Sequence, residues 1–398
     1  MKRREFLATV LAGGAAGFLI YSLAHGQRAV SRKTVLKADV VVVGGGVAGS
    51  TVARLVSPHL RTVVVEPRGL YLVGPAKEDI TLGLAGVEDY AAVRRGVFRA
   101  AAVGLDPGNR LLYTTAGLVE YRYLVLAVGV RLAYEEAEVT GRPDFVNIYD
   151  DDSVLGHAGF LKRARGRIVI AHPGLPYRCT SAPYELAFLA DYIAPRPHDI
   201  VVISGVKGIP AEFQEQISQL GGLVNRLMEE RGIGLVAGAE VVEVGEGRVL
   251  LDNGEAVKYD VLIWTPPHRG WPWLVEAGVA RESEYGYVRV DDRFRTRWDD
   301  VYAVGDVVWH VVKTGWAAYY EALATAAYIL EDAGFPSTGP EYLYSEDSIR
   351  LEPRLAIRGA KRWWPIYGKV AWRQIDGPSE EAAEGKYAWM RAMRDLIY

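Results

Sequence analysis

Apolar and polar positions change period several times along the chain, and each change marks an element. Residues 38–43 and 62–65 are short, nearly continuous β-branched runs, the pattern of strands buried on both faces. Between them stands Gly44-Gly45-Gly46-Val47-Ala48-Gly49, after which residues 50–56 take helical spacing up to Pro58. The order strand, tight turn, helix, strand makes one complete βαβ unit. Residues 121–129 repeat the buried-strand pattern and end in small residues, and residues 301–306 form another short strand running into a Gly-Asp turn. Between these two lies a separate block, with strands expected at 167–171, 200–204 and 259–265, a ribbon over 249–257 and a helix over 211–230. That order predicts a second, smaller domain inserted into the first.

The first turn carries chemistry. Gly44 permits the bend, Gly46 lets backbone approach a pyrophosphate, and Gly49 lets helix pack closely on strand, with Val47 and Ala48 completing the loop. A diphosphate is then expected at the helix N-terminus, where free N–H groups and the helix dipole favour negative charge. Glu66, followed by Pro67, stands twenty positions after Gly46 at the end of the second strand, placed for the ribose hydroxyls of an adenosine. Ala127 and Gly129 close the strand that neighbours this loop. The expected fold class is α/β, with two Rossmann-like dinucleotide-binding domains and a small C-terminal domain. Residues 36–135 and 285–338 are read as the two parts of the first dinucleotide-binding domain, 136–284 as the second domain and 339–398 as the C-terminal one.

Composition adds bounds. Of 398 residues half are hydrophobic, enough for several packed domains, and the formal charge of -3 without charged blocks gives no electrostatic reason to expect nucleic acid. Lys2, Arg3 and Arg4 precede an apolar, Gly/Ala-rich run to about Leu23, which resembles a twin-arginine export signal over residues 1–27. An extracytoplasmic, periplasmic location follows as an expectation, with cleavage near Ala24-His25-Gly26 or retention as an anchor both open. The sole cysteine is Cys179, so no intrachain disulfide can form. His172 and His268 lie in turns, yet neither has metal-ligand spacing to a second His or Cys, so no metal site is expected.

The second block lacks a nicotinamide signature. After strand 167–171 comes His172-Pro173-Gly174-Leu175-Pro176-Tyr177-Arg178-Cys179, with two prolines and no GxGxxG spacing, leaving few N–H groups for a second pyrophosphate. NAD(P)H is therefore not the expected electron partner. Gly305-Asp306, followed by Lys313-Thr314-Gly315 and a helix over 316–330, resembles the flavin end of two-dinucleotide-domain flavoproteins, which makes FAD the expected cofactor.

A more specific resemblance rests on Tyr177-Arg178-Cys179-Thr180-Ser181-Ala182-Pro183-Tyr184-Glu185, Thr265-Pro266-Pro267-His268-Arg269-Gly270, Lys313-Thr314-Gly315 and Tyr387-Ala388-Trp389. These segments resemble the flavin subunit of flavocytochrome c sulfide dehydrogenase and the related sulfide:quinone reductases. The resemblance implies oxidation of sulfide or another reduced sulfur compound, a redox cysteine at Cys179, and a cytochrome c as electron acceptor. Alternatives are a quinone acceptor at a membrane surface, or an electron-relay subunit without sulfur chemistry of its own. The family's second redox cysteine would fall near residues 344–347, where this chain has Tyr-Ser-Glu-Asp, and the cysteine that tethers the flavin is missing from Leu72-Val73-Gly74-Pro75. Noncovalent FAD is expected.

Cys179 follows Arg178 and precedes a helix start, two features that lower a thiol pKa. Its thiolate is expected either to attack the flavin or to carry a persulfide, against the alternative of an inert core thiol. Glu185 is an acid–base candidate, with helix capping as the preferred reading. Trp363, Trp364 and Trp372 are read as packing. The segment 380–398 reads as an amphipathic helix with Lys386, Arg391 and Arg394 on its polar side. It could pack on the flavin domain, meet an electron-accepting subunit or touch a membrane.

Overall fold

The computed structural model describes residues 34–208 and 220–398. The segment 1–27, expected to be an export signal, and the first part of the helix expected over 211–230 lie outside the described residues; the observed helix is Gly221–Glu230.

The β-branched runs become strands because their side chains are buried on both faces. Thr34–Val43 pairs in parallel with Thr62–Val65 on one side and Gly117–Leu126 on the other. Leu111–Thr114 and Ala102–Asp106 extend that sheet as an antiparallel edge, and Val301–Ala303 returns from far along the chain to pair in parallel with the end of Gly117–Leu126. A second sheet orders Gly234–Ala237, His198–Ser204, Gly166–His172 and Val261–Trp264, all parallel. A small, mostly antiparallel sheet of Glu138–Val139, Val241–Gly245, Arg248–Leu251 and Ala256–Lys258 stands beside it. The chain is thus an α/β fold with two dinucleotide-binding sheets and a C-terminal antiparallel sheet.

That last sheet is the meander Leu343–Glu352, Leu355–Trp363 and Val370–Ser379. Its first strand packs against both the helix Ala182–Ile193 and the helix Gly315–Asp332. Ile349, Leu351 and Ile357 complete the core of the second domain, so the C-terminal unit closes the seam between the two halves. The helix Glu380–Leu396 follows, its N-terminus capped by Ser379 accepting from Ala382 N at 3.2 Å. Met390 and Met393 bury against Val47, Val73, Ala76 and Tyr90, so this helix packs within the molecule. No helix among the described residues is long and apolar enough to cross a membrane.

The helix Gly315–Asp332 is longer at both ends than expected and begins on Thr314, whose Oγ1 accepts from Ala317 N at 3.1 Å. Removing that cap leaves a first-turn donor without its partner. Thr314→Ala is expected to cost about 1 kcal/mol of stability, read as a lowered denaturant midpoint at unchanged slope.

Candidate active site

The glycine loop is packed tightly against the sheet. A Cβ on Gly49 would sit 1.9 Å from the Gly44 carbonyl oxygen, and one on Gly44, at φ +105°, would sit 2.2 Å from that of Ala127. Helix Val47–Val56 can approach the sheet so closely only because both side chains are missing. At Gly46 the situation reverses: a Cβ there would meet nothing within 4 Å, and the helix has no side-chain cap. Open space in front of uncapped N–H groups is the shape a pyrophosphate fills.

Glu66 is 8% exposed, its Oε2 accepting from Gly45 N at 2.9 Å and its Oε1 from Arg68 N at 2.8 Å. Each oxygen keeps a second lone pair for a ribose hydroxyl. Arg94, which pattern reading passed over, locks this corner. Its Nε donates to Gly45 O at 2.8 Å, its Nη1 to Leu70 O at 2.5 Å, and its Nη2 lies 3.7 Å from Glu66 Oε2.

The Gly305–Asp306 corner comes to the same place. A Cβ on Gly305 would lie 3.2 Å from the Ala48 side chain, so the turn after Val301–Ala303 packs on the nucleotide helix. Lys313 is almost wholly buried, and its Nζ donates to the carbonyls of Asp306 and Val308, both at 2.7 Å. Burial lowers its pKa to about 8 despite the nearby Asp306 and Glu321 carboxylates. Lys313 thus shapes the corner through backbone carbonyls. Pro67 lies just beyond Glu66, and Gly129, at φ +64°, opens onto empty space after the central strand. The set fits a dinucleotide such as FAD laid from the Gly44–Gly49 bend to the Asp306 corner.

In the second domain the loop after Gly166–His172 is already occupied by protein. Gly174 N donates to Glu240 Oε1 at 3.0 Å, and a Cβ on Gly174 would lie 2.7 Å from that oxygen. A carboxylate stands where a pyrophosphate would need a cradle of N–H groups, and the next helix begins only at Ala182. His172 and His268 are both buried. Burial lowers His172 to about 4, and burial followed by the Arg178 charge holds His268 well below the usual imidazole range. Both are neutral, and His268 Nδ1 accepts from Arg178 N at 2.9 Å.

Cys179 is brought to the Lys313–Thr314 turn, since its backbone N–H donates to the Lys313 carbonyl at 2.8 Å, one residue before the Thr314 cap. The expected lowering of its pKa is wrong. Arg178 turns its Nη2 to Tyr149 O at 2.8 Å and lies over the Tyr149 ring, while the helix begins three residues later at Ala182. Burial first, then the Glu78 carboxylate, push the Cys179 thiol up to about 12. Its Sγ lies 3.9 Å from Ser181 Oγ, which donates to Asp347 Oδ1 at 3.2 Å. The strand expected to supply a second cysteine therefore reaches this thiol through a serine and an aspartate. Ser345, on the same strand, is hydrogen bonded to Thr314 Oγ1 at 2.9 Å.

Glu185 is not a cap. Wholly buried, its Oε1 accepts from Arg350 Nε at 2.6 Å and its Oε2 pairs with Lys386. Burial pushes its carboxyl up, but Lys386 and Arg350 outweigh that and hold it below the usual carboxylate range. Lys386, expected on a polar face, points inward because Glu185 offers it a partner. Trp363 is buried and Trp364 partly so, whereas Trp372 is exposed beneath the Arg362 guanidinium. Among the described residues no group of His, Cys, Asp and Glu has the arrangement of a metal site.

Residues 188–326 match the family described as "Pyridine nucleotide-disulphide oxidoreductase". The chain is 26% identical over 305 residues to the mitochondrial sulfide:quinone oxidoreductase of Mus musculus, covering 67% of this chain and 65% of that relative's length. The fold is that of the sulfide:quinone oxidoreductase of the hyperthermophilic bacterium Aquifex aeolicus, with a TM-score of 0.75 at 21% identity over 90% of this chain and 92% of that one. It is also that of a NAD-dependent persulfide reductase from A. fulgidus, with a TM-score of 0.61 at 19% identity over 81% and 64%. The resemblance drawn from the cysteine segment, Thr265-Pro266-Pro267-His268-Arg269-Gly270, Lys313-Thr314-Gly315 and Tyr387-Ala388-Trp389 is borne out at the level of flavoproteins like the sulfide:quinone oxidoreductases.

Proposed function

We propose, from the premise that this chain is related to the sulfide:quinone oxidoreductases within the pyridine nucleotide-disulphide oxidoreductases, that it is an exported FAD-dependent oxidoreductase acting on sulfide or a similar reduced sulfur species. The observation that carries the reading is the hydrogen bond from Cys179 N to Lys313 O, which sets the only thiol beside the helix start expected to face the flavin. Noncovalent attachment is the corollary of Leu72-Val73-Gly74-Pro75, which offers no thiol for a tether. The Glu240 carboxylate on the Gly174 loop supports electron transfer without NAD(P)H.

FAD, when bound, supplies a two-electron acceptor. The chain's own part begins with ionisation of Cys179, whose proton is taken through Ser181 toward Asp347. With FAD bound as that acceptor, the thiolate would be placed to join its sulfur to that of hydrosulfide, thiolate plus HS⁻ giving persulfide, H⁺ and the two electrons that FAD would accept. A second hydrosulfide then removes the outer sulfur as HSS⁻ and restores the thiolate. Burial of Asp347 lifts its carboxyl above the usual range, toward the pH at which it accepts and releases protons readily. A quinone is the favoured final acceptor because the named relatives that cover most of this chain are sulfide:quinone oxidoreductases. A cytochrome c would replace it if the native protein copurifies with one.

Anaerobic addition of sulfide to the yellow protein tests the reading. Rapid bleaching of the flavin band is expected in the wild type and its loss in Cys179→Ser; an unchanged rate in the variant removes Cys179 from the chemistry.

A further inference from the structure

One face of the C-terminal meander gathers ionisable side chains behind Cys179. Asp347 stands on Leu343–Glu352, Lys361 on Leu355–Trp363 and Arg373 on Val370–Ser379. Register puts Lys361 opposite Ser345 on one side and Arg373 on the other, while Gly359 lies between Asp347 and Ile375. Side chains alternate along a strand, so Ser345, Asp347, Lys361, Arg373 and Ile375 share one face. Asp347 and Lys361 are diagonal neighbours on it, about 7–8 Å apart at the backbone and within reach of a lysine side chain.

These groups line a narrow cleft with Gln374 and Ile375, and Gly359 contributes no side chain to fill it. Gln374 and Ile375 are exposed, Asp347 is half-buried and Lys361 is only 7% exposed, so the cleft runs inward from solvent to the lysine and the carboxylate. It leaves about 10 Å³ for the centres of water-sized molecules, room for about one water and too little for a sulfur chain. From Asp347 a hydrogen-bonded line continues to the thiol: Ser181 Oγ donates to Asp347 Oδ1 at 3.2 Å and lies 3.9 Å from Cys179 Sγ. The other groups that face the thiol offer no such outlet. Tyr149 and Tyr177 are buried, and Glu78, Glu185 and Lys386 belong with Asp79 and Arg350 to a cluster of five ionisable groups, none more than 8% exposed. Within it Arg350 is held by Asp79 and Glu185, and Lys386 by Glu185.

We propose that the proton of Cys179 leaves by Ser181 and Asp347 to Lys361, which releases it into this cleft. No electrons move in the step. The S–H bond breaks as Ser181 passes its hydroxyl proton to Asp347 and takes the thiol's; Asp347 passes a proton to neutral Lys361, and the ammonium hands one to water. Thiol plus water thus become thiolate plus hydronium. Burial lowers Lys361 to about 8, with the Arg373 charge and against the Asp347 carboxylate. A lysine so placed exchanges protons near neutral pH, where an ordinary one stays charged. Around Asp347 the charges of Lys386 and Glu185 oppose one another. Lys361 is a positioning residue: it acts on the sulfur through Asp347 and Ser181. The inference rests on Cys179 as the reacting sulfur.

Anaerobic bleaching of the FAD-loaded protein by sulfide, followed in Lys361→Ala with and without ethylamine, tests the route. The variant is expected to bleach at least about tenfold more slowly than wild type. Ethylamine fills the space of the missing stem and brings a basic nitrogen, so it is expected to restore most of the rate; ethanol, of similar size without the base, is expected to restore none. Lys361→Arg keeps the charge but does not release its proton near neutral pH, and is expected to stay slow, whereas a lysine needed only for its charge would be replaced by it. Wild-type bleaching in either variant overturns the route, as does a slow Lys361→Ala on which ethylamine and ethanol act alike. Should Lys361→Ala fail to fold, Asp347→Asn serves: it keeps an acceptor for Ser181 but passes on no proton, and bleaching at the wild-type rate there overturns the route equally. Cys179→Ser in the same assay separates the two ideas. Bleaching that persists in it sinks the functional reading and the route together, while bleaching lost in it and unaltered in Lys361→Ala sinks the route alone.

Discussion

Gly46→Val is expected to give a folded, colourless protein. Gly46 sits at φ -81° and ψ -166°, extended backbone open to any residue, and a Cβ there would touch no protein atom within 4 Å. The substitution therefore leaves the fold alone and places two methyl groups where the helix N–H groups would meet a pyrophosphate. Charge-assisted hydrogen bonds of that kind contribute about 1.5–3 kcal/mol each, so losing two weakens FAD by about 100-fold or more. Gly49→Val is the contrasting case: its Cβ would lie 1.9 Å from the Gly44 carbonyl, and no soluble protein is expected. The check is the ratio of flavin to protein absorbance in purified Gly46→Val, with unfolding compared against FAD-stripped wild type. A variant as yellow as the wild type would remove the nucleotide from this loop.

The contrast between those glycines marks what was legible beforehand. Gly44, Gly46, Gly49 and Glu66 lie within one βαβ unit, where spacing along the chain translates directly into geometry. The second sheet and the return of residues 301–306 to the first were readable for the same reason, as local strand patterns in a telling order. The surroundings of Cys179 were not, because they are assembled from a distance. Glu185 looked like a capping residue from its place in the first helical turn, yet its partners are Arg350 and Lys386, the latter 201 residues away. Lys386 in turn fits the polar stripe of an amphipathic helix, and nothing local says that this position faces a buried carboxylate. The thiol shows the same limit. Its neighbour Arg178 and the coming helix argued for a lowered pKa, while Glu78, which with burial drives it upward, comes from another domain segment. The run Lys77-Glu78-Asp79 inside an otherwise apolar short helix was the available hint: three charges in succession, all at most 4% exposed, require partners from elsewhere.

Arg350 holds the greatest share of that assembly, and Arg350→Met should produce the largest loss of stability of any single side-chain change in the C-terminal unit. The guanidinium is wholly buried, bonded to Glu185 through Nε at 2.6 Å and to Tyr387 OH through Nη1 at 2.9 Å, and it lies 2.6 Å from Asp79. Methionine fills similar volume but leaves three carboxyl groups facing Lys386 alone. Breaking a buried ion network in this way costs about 3–5 kcal/mol, a large fraction of the roughly 5–15 kcal/mol that holds a domain folded. The deficit should also depend on pH, with a sign the cluster dictates. In the wild type Glu185 is depressed, so its contribution is present above the unfolded carboxyl value of about 4.3 and is lost as pH falls through its lower folded value. Without Arg350, burial dominates and lifts the carboxyls, and a raised acid stabilises at low pH and loses that stabilisation as pH climbs through its folded value. The difference between wild type and variant should therefore be smallest near about pH 5 and widen toward about pH 8. Urea unfolding at both pH values measures it, and Arg350→Met combined with Glu185→Gln should recover part of the loss by removing one of the stranded charges. A deficit below about 1 kcal/mol, or one equal at both pH values, would mean that the five groups are solvated independently and form no charge-balanced unit.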